Sequence, residues 1–139
     1  MSSHTALSPA TVDASPVILL IARILLAALF LISGFGILMG GPAGFGGYLG
    51  SLGLPAPVAI AWLVTILKIV AGIMVIVGFQ TRYAAWALAA FAIGAALIGH
   101  NNIADQNEMT QLLKDFGIAG GLILLGTFGP GRLSLDARR

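Results

Sequence analysis

The chain has 139 residues, of which 58% are apolar and 9% charged, and its mean hydropathy is +1.01. That balance excludes an ordinary water-soluble domain and marks a single-domain integral membrane protein. The net charge of +2, spread along the chain, gives no basis for nucleic-acid binding, and the absence of cysteine excludes disulfides, thiol relays, thiolate metal sites and covalently attached haem.

Residues 1–16, MSSHTALSPATVDASP, read as a flexible polar arm. They lack the basic residues that precede the apolar core of a secretory signal. The run from Val17 to Met39 is long enough to cross a bilayer and is expected to be the first transmembrane helix. It carries Arg23 within two turns of its start, where a long side chain can snorkel to lipid phosphate, so Arg23 is expected to anchor the helix to headgroups.

In the following segment, GGPAGFGGYLGSLGLPAP, residues Phe45, Tyr48, Leu49 and Leu52 fall at i, i+3, i+4 and i+7. This spacing predicts a short helix with one apolar face, resting in the outer interface. The second span is expected over Val58–Val77, with Lys68 at its centre. A cation at the bilayer midplane costs about 3 kcal/mol on insertion scales, so something must hold it there.

The third and fourth spans are expected over Tyr83–Gly99 and Gln111–Phe128. Asp105 and Glu108 precede the fourth and are placed to cap it or to face water. Residues 129–139 then form a tail in which Arg132 follows a Gly-Pro-Gly stop. Small residues recur in every span, among them Ser33, Gly34, Ala71, Gly72, Gly94, Gly117 and Gly121, as close helix packing in lipid requires.

Four spans put both termini on one side. Arg82, Arg132, Arg138 and Arg139 fall on that side, with Arg23 near it, so the termini are expected in the cytoplasm, with Arg82 and Arg132 as further headgroup anchors. The fold class is therefore an all-α, integral membrane four-helix bundle with cytoplasmic termini and an interfacial helix in the first outer loop.

Several segments resemble the DoxX family of small four-helix bacterial membrane proteins: Ala22-Arg23 in the first span, Ser33-Gly34-Phe35, Tyr48 to Pro55, and Gly78-Phe79-Gln80-Thr81-Arg82. The most specific is the ending Gly129-Pro130-Gly131-Arg132-Leu133-Ser134-Leu135-Asp136. The resemblance runs from Ile21 to Asp136 and implies a protein of the bacterial inner membrane. Relatives in that family include a subunit of a thiosulfate:quinone oxidoreductase and, in mycobacteria, a membrane partner of oxidant-defence enzymes. Most members have no assigned activity. The chain departs from the usual pattern at Ile37, where the family commonly has a lysine, at Lys68, where it commonly has a glutamate, and at Asp115, where it usually has an asparagine.

Those departures introduce a cation on the second span and an acid on the fourth. Lys68 leans outward along its helix while Asp115 lies about one turn inside the outer end of its own, so the two heads come nearly level and are expected to pair. His100, Asn101 and Gln111 lie at the same level and would complete a polar pocket opening outward. Both a structural ion pair and a functional pocket satisfy this arrangement.

No nucleophile with a neighbouring base, no metal-ligand set and no phosphate loop stands out, so neither catalytic nor metal-ligating residues are assigned and a stand-alone enzyme ranks last. The resemblance implies instead a non-catalytic membrane component of a redox or oxidative-stress assembly. It would sit among lipids beside an oxidoreductase partner, holding no cofactor itself and meeting quinone through that partner. The alternative is a small transporter or channel built on Lys68 and Asp115, which at this size needs a homodimer for an alternating-access path.

Overall fold

A computed structural model describes residues 15–138 apart from 101 and 103. Five α-helices follow one another: α1 (Pro16–Gly40), α2 (Pro42–Ser51), α3 (Pro57–Val77), α4 (Thr81–Gly99) and α5 (Gln106–Phe128), with a 3₁₀ turn over Asp136–Arg138. No strand occurs among the described residues. α1, α3, α4 and α5 are long and apolar enough to cross a membrane. Residues 1–14 of the polar arm lie outside the described residues.

The boundaries follow from local chemistry. Proline opens α1, α2 and α3, where its missing N–H costs no hydrogen bond and its fixed φ suits a first turn. Gly78 ends α3 at φ 74, a conformation that favours glycine, and its N–H closes on the Met74 carbonyl at 2.8 Å. α5 begins at Gln106, earlier than its apolar run suggests, because the Asp105 carboxylate accepts from the N–H of Asn107 at 2.9 Å and from that of Glu108 at 3.4 Å.

α3 packs on α1 and on α4, and α4 packs on α5, whereas α1 and α5 touch only sparsely and α3 and α5 face each other across a diagonal. The short α2 folds back against the start of α3. Its glycines make this possible: a Cβ on Gly46 would lie 3.0 Å from the Val58 backbone, so only a bare backbone can approach so closely.

The buried core joins Ala27 and Phe30 of α1, Ala71 and Val75 of α3, Ala84, Ala85, Leu88 and Ala89 of α4, and Leu122 and Leu125 of α5. Alanines dominate it, which draws the helix axes together where lipid offers no hydrophobic incentive for association. These residues lie toward the end of the bundle where α1 starts and α5 finishes. At the opposite end, beneath α2, the helices stand apart and enclose a cavity.

Candidate functional site

Two polar constellations occupy the two ends of the bundle. At the end carrying the termini, Arg23 is only 1% exposed. Its Nε donates to the Val75 carbonyl at 2.9 Å and its Nη2 to that of Ile76, while Nη1 donates to the carbonyls of Pro130 at 2.9 Å and Leu133 at 2.7 Å.

The partners explain the geometry. The last four carbonyls of any helix lack intrahelical donors. In α3 all four are answered: Met74 by the turn at Gly78 and Phe79, Val75 and Ile76 by Arg23, and Val77 by the N–H of Leu135 at 3.0 Å.

The C-terminal segment is knitted into the same place. The N–H of Asp136 donates to the Gly78 carbonyl at 2.8 Å, and the two carboxylate oxygens of Asp136 accept from the N–H groups of Gln80 and Thr81, each at 2.8 Å. The tail therefore supplies the N-terminal cap that α4 lacks among its own residues.

One expectation is corrected here. Arg23 does not snorkel to headgroups, because its guanidinium is turned inward and answered by four carbonyls. Residues 129–138 of the expected tail form a clasp on this end. Arg82 and Arg132 remain exposed at this end.

At the other end, a cavity of about 550 Å³ is walled by all five helices. Its surface is mostly apolar and aromatic, with Phe30, Phe45, Tyr48 and Phe91 among the lining residues, and Lys68, Ser33, Asp115 and His100 supply polar groups. Lys68 is half-buried; its Nζ donates to the Ser33 hydroxyl at 2.7 Å and stands 5.4 Å from the centre of the Phe91 ring.

Lys68 and Asp115 thus face one cavity, as their levels suggest, but the expected salt bridge between them is not closed. The cause is the bundle's diagonal. α3 and α5 do not pack together, so the ammonium finds the nearer hydroxyl on α1 and acts on Asp115 through space only.

A hydrogen bond forms instead at the cavity mouth, between His100 Nδ1 and Glu108 Oε2 at 2.5 Å. The two side chains are 32% and 34% exposed, which places them at the boundary between the cavity and its surroundings. Asp115 lies within electrostatic range of His100, Lys114 and Lys68. Gln111 is half-buried and outside the cavity wall, and Asn101 lies outside the described residues. Glu108 was not legible as a site residue, since its place in the first turn of a helix is that of an ordinary N-terminal acid. Among the described residues no group of three His, Cys, Asp or Glu side chains gathers to hold a metal.

The family model for DoxX matches residues 18–101. The chain belongs to the DoxX family. It is similar to the inner membrane protein YphA of Escherichia coli K12, 38% identical over 133 residues that cover 90% of this chain and 92% of the relative. Inner membrane protein YqjF of the same organism is 35% identical over 117 residues, covering 84% of this chain and 88% of the relative. No solved structure gives a significant match. With these relatives and four spanning helices, this DoxX protein is a multi-pass protein of the inner membrane.

The segments Ala22-Arg23, Gly78 to Arg82 and Gly129 to Asp136 meet in the clasp. Lys68 and Asp115 fall in the cavity wall.

Proposed function

We propose that this DoxX protein is a non-catalytic, ligand-holding component of a redox or oxidative-stress assembly, with both termini in the cytoplasm and α2 in the outer interface. Arg82 and Arg132 then meet cytoplasmic headgroups, and the cavity opens toward the outer side. The observation that carries the ligand-holding reading is Lys68, a cation inside a mostly apolar cavity whose hydrogen-bond partner is a neutral hydroxyl. An ammonium so placed is ready to donate to a ligand oxygen, and intramembrane charges generally mark such sites.

The volume of about 550 Å³ lies within the range of small-molecule sites and suits a flat ring with a polar atom at its edge. A quinone head is the ligand of that shape that the redox reading calls for. The oxidoreductase partner would supply the electron chemistry, and this chain the binding and orientation of the ligand.

The test is the thermal stability of the purified protein titrated with a short-chain benzoquinone, together with native mass spectrometry of protein released from its own membrane. Saturable stabilisation that Lys68→Met abolishes supports the reading. Equal shifts in both proteins, or none in either, would refute it.

A second reading is favoured by the asymmetry of the bundle. A cavity under α2 and a clasp that closes the opposite end resemble one state of a small transporter. Ligand movement across proteoliposomes, lost in Lys68→Met, is the result that would place it first.

A further inference from the structure

Lys68, Asp115 and His100 all line the cavity, and this inference rests on the reading that the cavity holds a ligand. Lys68 lies at mid-span of α3. Asp115 faces the same space from α5 and is within electrostatic range of both Lys68 and His100. Glu108 sits on α5 two turns before Asp115, about 10 Å along the axis, and binds His100 at the cavity mouth. The charged and titratable groups around this space are Lys68, Asp115 and His100 in the wall, Glu108 bound to His100, Lys114 next to Asp115 in the chain, and Tyr48 on the α2 side.

The carboxylate of Glu108 on Nδ1 fixes the imidazole's orientation and leaves Nε2 as the proton acceptor. A histidine held in this way by an acid, at the edge of a cavity, has the arrangement of a general base. Asp115 is an acceptor on the inner side of it, and Lys68 stands where a negative oxygen would be stabilised.

We propose that Asp115 and the His100–Glu108 pair form a proton exit for a hydroxyl-bearing ligand held at Lys68, so that an aryl hydroxyl binds as its anion and its proton leaves at the α2 face. In this step the ligand O–H bond breaks and the electron pair stays on oxygen, opposite the Lys68 ammonium. The proton joins the Asp115 carboxylate, passes to Nε2 of His100, and is released to water beside Glu108. No electron is transferred and no oxidant is needed.

The probe is 2-butyl-4-nitrophenol, whose anion is yellow and whose neutral form is nearly colourless, mixed with the full-length protein in mild detergent at a pH where the free probe is neutral. Binding is read from thermal stabilisation and deprotonation from the yellow absorbance in stopped flow. The wild type is expected to bind the probe and turn yellow, with a smaller amplitude in Lys68→Met. In His100→Ala the yellow phase should slow by tenfold or more and recover when imidazole is added, a rescue that a merely structural histidine would not allow. Glu108→Gln, which keeps the hydrogen-bonding shape but removes the charge, should slow it by less.

A probe that stabilises the protein but stays colourless overturns the proposal, as does a yellow phase at wild-type rate in His100→Ala. If neither this probe nor the benzoquinone stabilises the wild type, the ligand-holding reading itself fails, an outcome distinct from binding without deprotonation.

Discussion

Replacing Arg23 by methionine removes four donors at once and leaves the carbonyls of Val75, Ile76, Pro130 and Leu133 without them. Polar contacts between helices inside a membrane average about 0.6 kcal/mol, which sets a floor of about 2 kcal/mol for the four. Removing one partner of a buried charged contact costs about 3–5 kcal/mol as a whole, much of it from the groups left without partners, and that is the expected gross cost here. Part of this is returned, because methionine removes a charge that is itself costly to bury. The net expectation is a loss of about 3 kcal/mol, read from unfolding in a graded mixture of mild detergent and dodecyl sulfate. Arg23→Lys keeps the charge but loses the planar fork, and should recover less than half of the loss. If Arg23→Met unfolds within about 0.5 kcal/mol of the wild type, the clasp contributes nothing measurable and the argument from orphan carbonyls is wrong.

Asp136→Asn keeps one acceptor for the first N–H groups of α4 but loses the charge, and is expected to cost about 1 kcal/mol, with faster amide exchange confined to the start of that helix. Gly78→Ala places a Cβ 2.3 Å from that of Ser134 at a φ of 74, and should destabilise by about 2 kcal/mol or more in the same titration. A double-mutant cycle of Lys68→Met and Asp115→Asn is expected to give a coupling below about 0.5 kcal/mol, because no salt bridge joins them; a larger coupling would mean that the pair closes in the membrane. Gly46→Leu should separate α2 from Val58 and weaken any ligand-induced stabilisation, while a leucine at Gly47, which has open space around it, should not.

The spans and the short α2 helix were legible because both are local properties: an uninterrupted apolar run in one case, and Phe45, Tyr48, Leu49 and Leu52 at helical spacing in the other. Asp105 was legible as a cap for the same reason. Arg23 was misjudged because its distance from the membrane surface can be read along the helix, while its acceptors at Pro130 and Leu133 lie more than a hundred residues away. The levels of Lys68 and Asp115 follow from helical rise, but whether two helices are neighbours or stand on a diagonal does not, and that decided the fate of their pair. Glu108 gained its meaning only from His100, across a turn whose geometry no spacing rule specifies.

The clasp also bears on how the protein is made. Translation delivers the first span, with its cation, long before the carbonyls of Pro130 and Leu133 exist. Until the last residues emerge, α1 carries a charge that two of its four acceptors have yet to reach. A chain cut short before Pro130 has the same defect permanently, a buried guanidinium in the first span short of two acceptors.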